Sequence, residues 1–146
     1  MARKGINEVY PHLYQRGKIL TWLRTDKVEL IEGLNIGVIV NMWPKVDAEL
    51  SEMPLDWYLQ LSTPRSENMT KPHILMAADA VATYMKASPR NVLVLCEAGK
   101  TRSSFFCALV LRRMGLTVDE TFATLRERIP AMELKGFMID YLRGPE

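Results

Sequence analysis

The chain has 146 residues, 48% of them apolar and 25% charged, with 19 basic against 17 acidic side chains and a net charge of +2. That length suits one domain with a proper hydrophobic core, so residues 1–146 read as a single domain. The charge balance gives no electrostatic footprint for a nucleic-acid binder; no apolar run is long enough to cross a bilayer, and MARKGINEVYPHLY lacks the apolar stretch of a secretory signal.

From the N-terminus, INEVYPHLYQRG carries short β-prone pieces broken by Pro11 and Gly17. TDKVELIEGL follows, with Asp26 near a helix start, Val28, Leu30, Ile31 and Leu34 as apolar positions, and Gly33 near its end; it reads as a short helix. IGVIVNM, from Ile36 to Met42, is short, β-branched and bounded by WPKVD, the pattern of a buried strand. WYLQLS, residues 57 to 62, reads as another strand before the breaker-rich TPRSENMTKP. Thr70 and Pro72 occupy favoured cap and first-turn positions for a helix whose apolar residues Ile74, Leu75, Ala78, Val81, Tyr84 and Met85 recur at helical spacing. Ser88–Pro89 closes it, and NVLVL forms the third strong strand.

Ser103 to Met114 is apolar on nearly every side, which predicts a central, buried helix stopped by Gly115. Thr117 and Glu120 have the spacing of a capping box for the next helix, ending near Ile129–Pro130, and a last helix is expected from Glu133 to Leu142. Strands alternating with helices predict an α/β domain: a central, mostly parallel mixed sheet of four to five strands flanked by helices.

The segment VLVLCEAGKTRSS concentrates the chemistry. Cys96 ends a strand, Ser103 opens a buried helix, and Glu97, Ala98, Gly99, Lys100, Thr101 and Arg102 lie between. Strand ends of open α/β sheets are where ligands bind. A tight loop can turn its N–H groups inward, and the helix N-terminus adds unpaired amides and partial positive charge. Such a nest takes a phosphate-sized oxyanion, and Arg102 adds a planar two-pronged donor that lysine cannot imitate. The same field stabilises a thiolate. A thiolate beneath a bound phosphate is placed for in-line attack on phosphorus, giving a phosphocysteine, and Ser103 is positioned to hydrogen-bond the sulfur as it departs.

This segment resembles the cysteine-dependent protein tyrosine phosphatase superfamily, whose loop is C-x5-R followed by Ser or Thr. The resemblance extends over nearly the whole chain. EVYPHLYQRG looks like that family's opening strands, LNIGVIVNMW like its central strand, WYLQLS like the strand before its acid loop, and TVDETFATLRERIPAMELKGFMIDYL like its C-terminal helical pair. The compact dual-specificity branch fits best, and CEAGKTRS is similar to members that act on phosphoinositides or inositol phosphates as well as phosphoproteins. The resemblance implies a phosphatase-like three-layer domain. It also implies Cys96 as nucleophile, Arg102 as phosphoryl ligand, residues 97 to 102 as the oxyanion cradle, and Ser103 as the group assisting thiolate departure.

Two positions depart from that pattern. Leu95 stands where the family usually has a histidine, which implies a thiol that ionises less readily rather than a dead site. Arg65 falls near the position of the usual aspartate, and an arginine is a poor proton donor at neutral pH. Glu67, two residues on, is the first candidate for general acid, and Asp47 in the loop after Met42 is the second. Glu97 is expected to point away from the phosphate and hold a neighbouring cation. Lys100 either faces substrate or is solvated, and Arg65 either contacts a second phosphate or is an exposed loop residue.

Cys107 reads as an inert core thiol. Eleven residues of helix would hold it roughly 16 Å from Cys96, beyond the roughly 7 Å reach of a disulfide. His12 and His73 read as structural or surface residues, and Trp43, Trp57, Phe105 and Phe106 as core. The sequence implies no metal and no organic cofactor and a reducing cytoplasmic setting; it leaves the oligomeric state open, with a monomer favoured. The expected partner is a phosphorylated protein or a small phosphorylated substrate, not nucleic acid and not a stably inserted membrane. Alternative readings are a phospho-ligand-binding module with weak or no turnover and, ranked last, a rhodanese-like sulfurtransferase.

Overall fold

The computed structural model describes residues 5–63, 65–97 and 100–144. Five strands, β1 (Asn7–Tyr10), β2 (Leu13–Gly17), β3 (Ile36–Asn41), β4 (Trp57–Gln60) and β5 (Asn91–Cys96), form one sheet in the order β1-β2-β5-β3-β4. β1 pairs antiparallel with β2 through a tight turn at Pro11 and His12, where His12 takes a left-handed φ of 74° and its ring bonds the Asn91 side chain at 2.7 Å. All other pairings are parallel. The sheet is therefore mixed and mostly parallel, as expected. β3 and β5 are buried along nearly their whole length, the signature of strands covered on both faces.

The connections decide where the helices lie. The chain steps from β2 over to β3 through α1 (Arg24–Gly33), and on to β4 through α2 (Ala48–Ser51). It then steps back to β5 through α3 (Pro72–Ala87). Right-handed crossovers place helices on opposite faces when the direction of travel reverses. Leu30, Ile31, Leu50 and Met53 accordingly pack with Ile36, Ile39, Leu93 and Leu95 on one face. The other face buries Val38, Val40, Val92, Val94 and Cys96 against α3 and α4 (Arg102–Arg113), with α5 (Val118–Arg128) and α6 (Gly136–Arg143) also packed against α4. The result is three layers.

Ser103 through Leu111 are all buried, so α4 is the central helix that its apolar run predicts. Gly115, at φ 104°, ends it with a Schellman arrangement: its N–H donates to Arg112 and that of Leu116 to Leu111. Thr117 and Glu120 form the expected capping box on α5. Both cysteines are buried thiols. No helix among the described residues is long and apolar enough to cross a membrane.

Four expectations are corrected. Thr70 does not cap α3; it ends a 3-10 helix, Ser66–Thr70, and Lys71 is held extended before Pro72, as a residue preceding proline prefers. The last helix begins at Gly136 rather than Glu133, because Lys135 is extended and the Glu133 N–H is drawn off to the Lys100 carbonyl at 3.0 Å. Trp57 is 39% exposed, since it lies on edge strand β4 with its ring tilted against Tyr84. Trp43 is half-buried, with the Lys18 ammonium 4.4 Å from its ring centre, whereas Phe105 and Phe106 are core.

Candidate active site

β5 delivers Cys96 to the C-terminal edge of the parallel strands, one residue beyond the last position at which β3 pairs with it. Alternation along β5 sends neighbouring side chains to opposite layers. Cys96 belongs to the α4 face, while Leu95 fills the core under α1 and α2. A leucine at 95 thus packs well and brings no hydrogen-bond donor to the loop. Ala98 and Gly99, which the sequence assigns to the cradle, lie outside the described residues.

α4 starts immediately after the loop. Thr101 is its N-cap residue, without a side-chain cap bond, and its carbonyl accepts from the Phe105 N–H at 2.8 Å. The amides of Arg102, Ser103 and Ser104 are first-turn groups with no helical acceptor, so the positive end of α4 faces the site. Within this turn the Cys96 thiol donates to Ser103 Oγ at 3.1 Å. The same oxygen accepts from Gln15 Nε2 at 2.8 Å, and Asn7 Nδ2 donates to Gln15 Oε1 at 2.9 Å.

Arg102 is held by two acceptors. One Nη donates to the Thr63 carbonyl, and the other lies 3.7 Å from Glu97 Oε1. Thr63 is itself fully buried and anchored to the Met42 carbonyl through both its N–H and its hydroxyl, after a left-handed residue at Ser62 (φ 29°). Glu97 also lies 4.0 Å from Lys18, so its carboxylate holds cations, but it lines the cleft rather than pointing away from it.

These groups open on a cleft of about 460 Å³. Cys96, Glu97, Lys100, Thr101 and Arg102 line it from the loop, Arg65, Ser66 and Glu67 from the stretch before α3, and Glu133 and Lys135 from the stretch before α6. Glu67 and Arg65 are both exposed there. Asp47 is not among the lining residues. It is buried, caps α2 through the Leu50 N–H at 3.1 Å, and pairs with buried Lys27 at 3.0 Å. That arrangement removes it as a proton donor to the cleft.

Sequence reasoning missed Gln15, Thr63, Glu133 and Lys135. A signal existed only for Gln15: it alternates with buried Leu13 along β2, a polar residue at a core-facing position. Thr63 acts through its carbonyl, which no side-chain pattern reveals. Cys107 is buried, and burial, with Cys96 nearby, pushes its thiol well above the usual range. Among the described residues no group of three or more His, Cys, Asp or Glu side chains could hold a metal ion.

A thiol at a helix N-terminus beside a fixed guanidinium can hold and attack a tetrahedral oxyanion. No protein-family model and no curated protein matches this chain. Solved structures do. The chain is similar to human DUSP28 at 17% identity, with a TM-score of 0.71 over 95% of this chain and 90% of that one. It is similar to the PTP-2 phosphatase of Cydia pomonella at 14% identity, with a TM-score of 0.77 over 95% and 88%. A structure of PTPMT1 in complex with PI(5)P matches at 13% identity, with a TM-score of 0.72 over 96% and 93%. The chain shares the fold of these solved structures.

Proposed function

We propose that this chain is a cysteine-dependent phosphatase that hydrolyses phosphate monoesters through a phosphocysteine on Cys96. The observation that carries the reading is one turn of structure: the Cys96 sulfur 3.1 Å from Ser103 Oγ, at the N-terminus of α4, in the cleft where Arg102 is clamped. Arg102 and the loop amides hold the phosphoryl oxygens. The Cys96 thiolate forms the S–P bond as the ester P–O bond breaks, and the leaving oxygen takes a proton from a carboxylic acid. Water then attacks phosphorus, giving its proton to the carboxylate left by the first step; the S–P bond breaks, and the Ser103 hydroxyl hydrogen-bonds the departing thiolate.

Glu67 is the assigned proton donor, because it lines the cleft whereas Asp47 does not. Lys100, Arg65 and Lys135 border the same opening, beside Glu67, Glu97 and Glu133, and these cations suit a substrate with charge beyond the reacting phosphate, a phosphoinositide or inositol phosphate as well as a phosphoprotein. The PTPMT1 structure with PI(5)P supports that class. We place the activity in the cytoplasm, on a single domain that works without metal or organic cofactor.

The test is phosphate release from p-nitrophenyl phosphate, with Cys96→Ser as control. Release that vanishes in the variant is expected; equal release from both would remove Cys96 as nucleophile. A second reading, a phospho-ligand-binding module, is favoured by Arg65 at the place of the usual acid. It predicts tight calorimetric binding of a phosphorylated ligand, lost in Arg102→Ala, without product release. Sulfur transfer ranks last, because the matched structures include the PTP-2 phosphatase.

A further inference from the structure

The Ser103 hydroxyl has one proton and two buried neighbours. It is fully buried, and its oxygen accepts from Gln15 Nε2 at 2.8 Å and contacts Cys96 Sγ at 3.1 Å. Gln15 is also fully buried, on β2, where it pairs in register with Asn7 of β1 and Val94 of β5. Val94 lies two residues before Cys96, on the same face of the sheet. Asn7 Nδ2 donates to the amide oxygen of Gln15 at 2.9 Å, which leaves the amide nitrogen toward Ser103. An amide nitrogen only donates. It therefore occupies a lone pair on Ser103 Oγ and leaves the hydroxyl proton for another acceptor. Once Cys96 has lost its proton, the nearby acceptor is the sulfur anion.

We propose that Gln15 is a positioning residue that fixes the Ser103 hydroxyl so that its proton is aimed at the Cys96 sulfur. This rests on the reading of Cys96 as a thiolate nucleophile. It gives the site a polar device on the α4 face of the sheet, opposite the face on which Leu95 supplies only packing.

Gln15→Glu tests the polarity. A carboxylate of the same shape accepts instead of donating, and would draw the Ser103 proton away from sulfur. Gln15→Met removes the amide without adding charge. The measurement is the rate of iodoacetamide alkylation of Cys96 against pH, read by intact mass, with Cys107 protected by burial. The midpoint is expected to rise by about one pH unit in Gln15→Glu and by about half a unit in Gln15→Met, as for loss of a hydrogen bond to a charged group. In a Ser103→Ala background Gln15→Met should not move it further, and Gln15→Glu should keep only the direct effect of its charge on the sulfur.

Unchanged midpoints in the folded Gln15 variants would overturn the proposal, with Gln15→Met deciding if Gln15→Glu does not fold. A shift of the same size for Gln15→Met in the Ser103→Ala background would overturn it too, since Gln15 would then act without Ser103. Alkylation reads the sulfur and not the reaction. A chain that shifts as expected yet releases no phosphate would sink the phosphatase reading and leave the role of Gln15 standing.

Discussion

At the scale of single residues, Arg102 is held in a way lysine could not reproduce. Its planar fork reaches the Thr63 carbonyl with one nitrogen and approaches Glu97 with the other, whereas an ammonium is a point charge on a flexible stem. Arg102→Lys is expected to lower kcat/KM for p-nitrophenyl phosphate by about 100-fold, a loss of roughly 3 kcal/mol in transition-state stabilisation, while unfolding in urea changes little. The proton donor is tested by its dependence on the leaving group. General-acid help is worth about 10²–10⁴-fold and matters most for basic leaving groups. Glu67→Gln should therefore slow phenyl phosphate hydrolysis by about 100-fold and leave p-nitrophenyl phosphate nearly untouched. Should Glu133→Gln show that selectivity and Glu67→Gln not, the acid belongs to the stretch before α6, which the Glu133–Lys100 backbone bond ties to the loop.

At the scale of elements, two joints hold the strands and helices that present the loop. Gly37 lies where β3 shifts register against β5, and a Cβ built there would stand 2.0 Å from the Tyr84 hydroxyl and 2.9 Å from Arg90 Cβ. Tyr84 has little room to yield, because its hydroxyl donates to Asp56 at 2.6 Å. Gly37→Ala is expected to destabilise the fold by about 1–3 kcal/mol through overpacking, read as a lower urea midpoint with an unchanged m-value. The second joint binds α1 to α2. Lys27, 1% exposed, donates to Asp47 at 3.1 Å, to Glu49 at 2.8 Å and to the Leu20 carbonyl at 3.1 Å. Burial works against its charge, yet the bonds to Glu49 and Asp47 outweigh it and leave its pKa raised. Lys27→Met should cost about 3 kcal/mol, because it strands the buried Asp47 carboxylate.

At the scale of the whole molecule, the strands, the buried α4 and the Cys96-to-Ser103 loop were legible because each is written in contiguous residues: β-branched runs, an all-apolar helix, a thiol and an arginine at fixed spacing. What was not legible comes from packing between distant segments. Asp47 could be weighed as an acid only until Lys27, twenty positions earlier, was found against it, and Trp57 could be assigned to the core only until β4 proved to be an edge. The pH dependence of stability is a property of the same kind, set by groups that folding brings together. Glu49 has its pKa lowered by the hydrogen bond to Lys27, so its contribution is present above its ordinary value of 4.5 and lost as pH falls through the depressed one. Lys27 and Tyr84 have raised values, so their contributions are intact below 10.5 and 10.0 and lost as pH rises past them. Cys107 begins that alkaline loss earliest. Its ordinary value is 9.0 and burial raises it, so above pH 9 the unfolded chain releases a proton that the folded chain keeps. Linkage then lowers stability by about 1.4 kcal/mol per pH unit from this one group. Cys107→Ala should cost about 1–2 kcal/mol at pH 7, from lost core packing, and remove that slope. Urea unfolding of the two chains should therefore converge above pH 9 and cross near pH 10. Parallel alkaline limbs would mean that the Cys107 thiol ionises as readily in the folded chain as in the unfolded one.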